Sequence, residues 1–221
     1  MEESEIRSAI DELAMLASYK LKSVHDNPDN DNDAHDIPTM VFISICNLVL
    51  QVLDKIGPTM AVLRQDIHQN IQRLELLHES DPSTYSNLVE ILKKEAAEGN
   101  AKKISSCCRA LLWLTRSLDF SVALLEKLGK GCGQQSMEKL VEDCYDVTLK
   151  PWHGWISITA VKVALKLVPE YKTLMEHLMA KDGNLETLKE EMQTLVALLA
   201  PFLQNIHSTL RSYGVDRLKA T

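Results

Sequence analysis

Apolar residues recur three or four positions apart along most of this chain, and nowhere alternate in the sustained way that a half-buried strand requires. Residues 4 to 23 carry Ile6, Ile10, Leu13, Leu16 and Ala17 on one helical stripe. The segment HDNPDNDNDAHDIP, acidic and holding two prolines, then breaks the pattern as a loop. Thr39 to Ile56 is strongly apolar and predicts a second helix. Gly57 suits its end, and Pro58 suits the first turn of a third helix running to about His78. Asp81-Pro82-Ser83 starts a fourth over 84–97, closed by Gly99 and Asn100. The fifth, Ile104 to Leu128, is apolar on nearly every side, the pattern of a helix buried among other helices. A sixth over 136–149 ends before Pro151, and a seventh spans Trp152 to Val168. A short eighth covers 170–181, and Leu185 to Tyr213 is a long tract in which Pro201 can place a kink. The pattern predicts an all-α fold of about eight or nine helices, without internal repeats.

Three polar residues interrupt the third helix in an unexpected place. On a wheel of about 100° per residue, Asp66, Asn70 and Arg73 fall with Leu77 within the apolar sector of Leu63, Ile67, Ile71 and Leu74 rather than opposite it. Buried without partners, such a line is costly. It is either a solvated edge with an Asp/Arg pair or a recognition patch. Asp accepts hydrogen bonds from hydroxyls, Asn accepts and donates, and Arg only donates. That set suits a sugar, or a head group with amide and hydroxyl groups. In the fifth helix, Trp113 is flanked by Arg109 and Arg116. Either the Arg heads extend to water from a core helix, or the helix runs under a polar mouth into an apolar cavity. A third unusual stretch is Pro151-Trp152-His153-Gly154-Trp155. Tryptophans so close are commonly core residues or interface anchors, and an exposed one favours a membrane–water boundary.

Charge and composition narrow the classes. With 31 acidic and 24 basic residues the formal net charge is −7, against a general nucleic-acid binder. The N-terminal MEESEIRSAIDEL lacks a signal-peptide pattern, and no run of about 18 apolar residues predicts a membrane span. Five cysteines at spacings unlike a zinc or CxxC motif suggest reduced thiols and a cytoplasmic protein. Asp29, Asp31 and Asp33 resemble a calcium loop only in part, because Ala34 and Met40 stand where it needs Gly and Glu. The histidines have no paired ligand spacing, so no metal is expected, and no nucleophile or base stands in a recognisable motif. The length of 221 residues suits a single domain, with 1–37 as its N-terminal helix and acidic loop.

Three motifs together, DIHQNIQRL, LLWLTRSLDF and WHGW, resemble the glycolipid transfer protein family, close to its plant members. Order and spacing agree, and the similarity runs over about residues 38 to 216. The resemblance implies a two-layer helical sandwich that carries a sphingolipid between membranes, without catalysis or cofactor. It implies that Asp66 and Asn70 bind sugar hydroxyls, with Arg73 where the family usually has Lys. It implies that Trp113 forms a stacking platform for the first sugar, that His153 bonds the ceramide amide, and that Trp155 docks the membrane. Phe42 and Phe120 are candidates to line the acyl-chain pocket. One branch of the family carries ceramide 1-phosphate instead, with a cation where Asn70 stands and Arg in place of Trp113. Asn70 and Trp113 therefore favour a glycosphingolipid such as glucosylceramide. Arg109, at a position where the phosphate-binding branch also has Arg, is the residue that could extend the site toward a phosphate. A non-transferring lipid sensor or a helical scaffold is the alternative from another class.

Overall fold

The computed structural model describes residues 4–26, 36–57, 60–131, 133–180 and 183–220. The acidic run with Asp29, Asp31 and Asp33, the helix-opening Pro58, and Cys132 lie outside the described residues. Among the described residues the chain forms nine α-helices and no strand. They are α1 (Glu5–Asp26), α2 (Thr39–Ile56), α3 (Ala61–Ser80), α4 (Leu88–Ala97), α5 (Cys107–Lys130), α6 (Met137–Thr148), α7 (Trp155–Leu165), α8 (Tyr171–Leu178) and α9 (Leu185–Ser212). Single 3₁₀ turns at Thr84–Ser86 and Lys150–Trp152 precede α4 and α7.

Capping chemistry sets most boundaries. Gly57, at φ 105°, ends α2 in a backbone conformation that costs little only without a side chain. Helix α4 starts later than the Asp81-Pro82-Ser83 signal suggests, because Asn87 is extended and its side chain accepts from the Val89 N–H. Helix α5 starts at Cys107 rather than Ile104, because the Ser106 hydroxyl caps the Arg109 N–H. The Glu95 carboxylate, reaching over from α4, accepts from Cys107 N at 2.8 Å and Cys108 N at 2.7 Å. A carboxylate there opposes the positive end of the α5 dipole. Helix α7 is shorter than the apolar pattern predicts, since Pro151 and Trp152 sit in a 3₁₀ turn and Gly154 is extended. Helix α9 runs on through Pro201. Pro201 and Ala197 are both exposed, so the carbonyl that the proline leaves unbonded faces the solvent side.

Helix α5 is the hub. It packs on α9, α3, α6 and α4, while α1 joins α2 and α9, α2 joins α3 and α8, and α6 meets α7. Leu111, Leu112, Leu114 and Leu118 of α5 are fully buried, beside Ile43 of α2, Ile71 and Leu74 of α3, and Ile206 and Leu210 of α9. On α1 the buried stripe is Ile6, Ala9, Leu13 and Leu16, while Ala17 is exposed. One expectation is corrected. Helix α2, with 18 residues and a mean hydropathy of 1.6, is long and apolar enough by composition to cross a membrane. Its apolar residues are those of a core helix: Phe42, Ile43, Ile45, Leu50 and Leu53 are buried, and Leu48, Val49 and Val52 pack half-buried against the same core.

The Glu95 cap is the joint between α4 and the hub. Glu95→Ala should lower stability by about 1–2 kcal/mol, the usual scale of a helix cap made by a charged acceptor, as read from the midpoint of urea unfolding.

Candidate functional site

The candidate head-group residues lie on α3, on α5 and in the turn ahead of α7, and α3 packs on α5. On α3, Asn70 is buried with 9% of its surface exposed, Arg73 is half-buried, and Asp66 is exposed. The trio thus lies on the rim of the apolar face, not opposite it. The Asn70 amide donates to the Asp66 carbonyl at 3.0 Å, one helical turn back, which fixes its orientation. Although the residue is exposed, partial shielding of the Asp66 carboxyl from water pushes its pKa up, against the opposing pull of the Arg73 guanidinium. Arg73 donates long bonds to the carbonyls of Ile104 and Ser106, at 3.4 and 3.5 Å, and so ties α3 to the start of α5.

Helix α5 presents Trp113, half-buried. The 3₁₀ turn ahead of α7 swings His153 against it, with ring centroids 5.4 Å apart and planes tilted by 32°. Tyr145, from α6, holds the other edge of the imidazole, its hydroxyl 3.1 Å from His153 Nδ1. Burial raises the Tyr145 pKa and so keeps the phenol protonated. A protonated phenol can donate to Nδ1 or accept from it, and it donates when the imidazole proton sits on Nε2. Burial and the nearby Arg116 charge lower the His153 pKa, favouring the neutral ring. A neutral imidazole with Nε2–H free to donate suits an amide carbonyl.

Arg109 and Arg116 do not extend to water. Arg109 is 7% exposed and Arg116 is 2% exposed. Arg109 Nη2 donates to the Lys219 carbonyl. Arg116 donates to the carbonyls of Leu218, at 2.7 Å, and Asp216, at 2.8 Å. Its guanidinium also lies over two indoles, 4.8 Å from the Trp113 centroid and 4.0 Å from that of Trp152. The Ala220 N–H in turn donates to the Trp152 carbonyl at 2.8 Å.

Arg116, Trp152, Tyr145 and the segment 215–220 are the site's neighbours that sequence reasoning missed as participants. Arg116 and Trp152 stand in the stretches already singled out. Tyr145 and the carbonyls carry no sequence signal, because a backbone acceptor looks alike in every residue. Of the remaining candidates, Phe42 is fully buried and Phe120 packs half-buried against the core. Trp155, at the start of α7, is 78% exposed. A separate open groove of about 480 Å³ lies between α5 and α9, lined by Asp119, Leu203, His207 and Arg211 among others, away from the Trp113 cluster.

Known proteins are similar to this chain in sequence and fold. The model of the family described as glycolipid transfer protein (GLTP) matches residues 37–180. Glycolipid transfer protein 3 of Arabidopsis thaliana is 52% identical over 217 residues, covering 98% of this chain and 92% of that protein. The chain belongs to the glycolipid transfer protein family.

A FAPP2 structure, described as selecting simple glycosphingolipids using the GLTP fold, superposes with a TM-score of 0.75 at 26% identity, over 84% of this chain and 90% of that one. A mutant of Arabidopsis ACD11 complexed with ceramide-1-phosphate superposes with a TM-score of 0.80 at 22% identity, over 98% of this chain and all of that one (100%). The second likeness is one of fold. GLTP-family proteins transfer lipids and are not enzymes.

The lowered His153 pKa has a consequence for stability. As pH falls through the ordinary histidine value of 6.5, the unfolded chain takes up a proton that the folded chain still refuses, so stability drops until the folded pKa is passed. His153→Gln should flatten part of this slope, seen by comparing urea unfolding at about pH 5 and about pH 7.5.

Proposed function

We propose that this GLTP-fold protein moves a glycosphingolipid such as glucosylceramide between membranes without vesicles, and works in the cytoplasm with residues 1–221 as one lipid-binding unit. The observation that carries this reading is the ring-to-ring placement of Trp113 and His153 next to α3, which bears Asp66 and Asn70 and packs on α5. Trp113 stacks on the apolar face of the first sugar, and Asp66 and Asn70 take its hydroxyls, with Arg73 behind them. His153 donates from Nε2 to the ceramide amide. The acyl chains enter the apolar interior near Phe42 and Phe120. Each methylene kept from water there saves about 0.8 kcal/mol, which is why a carrier needs an apolar interior and a small polar mouth. No bond is made or broken, so no cofactor or metal is required.

The arginines support a neutral head group. A phosphate needs donors that are free to turn toward it. Arg109 gives one donor to the carbonyl of residue 219 and Arg116 gives two to those of residues 216 and 218, and both side chains are buried. Arg109 is thus a site residue that braces the mouth from below, and ceramide 1-phosphate is the competing cargo.

Membrane contact rests on α7. Its outer face carries Trp155 and Ile156, then Val163, with Leu167 just past its end, all exposed. Lys162 and Lys166, also exposed, flank that face and favour an anionic surface. Lys150 is paired with Asp146 at 2.8 Å and contributes less. The contact is brief, because the chain as a whole is acidic.

Transfer between vesicles of labelled glucosylceramide and labelled ceramide 1-phosphate, run side by side, tests the cargo. Glucosylceramide should move, and Trp113→Ala should abolish that movement while leaving the circular dichroism unchanged. Movement of the phosphorylated lipid alone would reassign the site to its cations. Binding without movement of either lipid would favour a sensor. For docking, Trp155→Ala should weaken vesicle binding several-fold, as expected for losing one interfacial indole, with little effect on lipid already held in detergent-free solution. Equal losses in both assays would remove the docking role.

A further inference from the structure

The chain from Val215 to Ala220 lies across the base of the site rather than trailing from α9. Val215 is fully buried and anchors it to the core. Beyond that anchor, its backbone makes four hydrogen bonds to three side chains or carbonyls of the site. Its carbonyls at 216 and 218 take both ends of the Arg116 guanidinium, its carbonyl at 219 takes Arg109, and its N–H at 220 bonds the Trp152 carbonyl. Arg116 is the element shared with the head-group site, since its guanidinium lies over both the Trp113 and the Trp152 rings. Trp152 is followed directly by His153, whose ring meets Trp113.

We propose that Arg116 is a positioning residue for head-group recognition, held by the backbone of residues 216–220, and that this segment sets the Trp113 plate and the His153 donor in register for a glycosylated sphingolipid. The inference rests on the reading of Trp113 as the sugar platform.

The physical case has three parts. A guanidinium this buried requires hydrogen-bond acceptors, and the segment supplies two carbonyls, while the Asp119 and Asp216 carboxylates act on the charge at longer range. Carbonyls satisfy its N–H groups without cancelling its charge, so the cation remains available to the two π faces. Burial brings the Arg116 pKa down to about 10, which still leaves it charged at neutral pH, and that charge helps keep His153 neutral. Removing the acceptors would leave the cation two escapes, both harmful to the site: turning toward water away from the indoles, or recruiting a site carboxylate. Because the bonds are to backbone, the identity of the side chains at 217 and 219 matters little, whereas the Asp216 carboxylate also supports the Arg116 charge.

Six proteins test this: wild type, Trp113→Ala, Arg116→Gln, Arg116→Lys, a chain ending at Val215, and a chain with Arg217 and Lys219 both replaced by alanine. Each is assayed for vesicle-to-vesicle transfer of glucosylceramide and for the change in tryptophan emission when that lipid binds. Arg116→Gln and the shortened chain should each lose roughly tenfold or more in glucosylceramide transfer, the scale of one desolvated cation–π contact, and most of the emission change. The alanine chain keeps every carbonyl and should stay within about twofold of wild type, as surface substitutions do. Arg116→Lys, which keeps the charge but not the fork, should recover only part of the emission change. If the shortened chain does not fold, Arg116→Gln and the alanine chain decide by the same criteria. Normal transfer and a normal emission change in Arg116→Gln would overturn the proposal, as would loss of transfer in a folded alanine chain. If Trp113→Ala also transfers normally, or wild type moves no glucosylceramide, the platform reading itself falls and the proposal falls with it. Loss in Trp113→Ala with normal transfer in Arg116→Gln sinks the proposal alone.

Discussion

A guanidinium placed almost wholly inside a protein has to be provided for, and much of the site follows from how Arg116 is provided for. Its hydrogen bonds go to backbone carbonyls at the end of the chain, and its flat face goes to two tryptophans. The last described residues are thereby bound to the middle of the central helix, more than a hundred positions earlier in the chain. The turn bearing Trp152 and His153 is held by the same segment through the Ala220 N–H. Three parts of the chain that are remote in sequence meet because one buried charge needs acceptors and an apolar environment needs that charge delocalised.

Two helices of similar apolar character meet opposite fates, and the difference is a matter of partners. Helix α2 is apolar enough to span a bilayer by composition, yet α1, α3 and α8 cover it. Helix α7 is shorter and has only Leu165 buried, so Trp155, Ile156 and Val163 stay exposed. An exposed apolar face of this kind asks for a surface to rest on, and a bilayer is the surface a lipid carrier must visit. The polar mouth and the exposed face are joined at Gly154, one residue between the histidine that would grip the amide and the tryptophan that would enter the membrane.

The electrostatics of the mouth favour hydrogen bonding over charge pairing. Asp66 is pushed up by its surroundings, His153 is pushed toward the neutral ring, and the two α5 arginines are already bonded. Under the proposed reading, such groups would match the dipoles of hydroxyls and amides better than a phosphate, which needs donors free to turn toward it.

Helix number and order were readable in the sequence, because a 3.6-residue period survives whatever a helix packs against. So was the placement of Asp66, Asn70 and Arg73 on the apolar side of their helix, a property of one helix alone. The motif text around Asp66, Trp113 and His153 sufficed to identify the family. Helix starts were less legible: Ser106 and Asn87 act as caps only in the geometry they adopt, and Glu95 caps a helix it does not belong to. The uses of Arg109 and Arg116 were decided by tertiary structure. Spacing put Arg109 on the same face as Trp113, but the folded chain sets Arg116 over that ring and gives both cations to carbonyls about a hundred residues away. Sequence can show that a cation sits in an apolar helix. Only the packed structure shows what satisfies it, because the acceptors are backbone atoms, and every residue carries those alike.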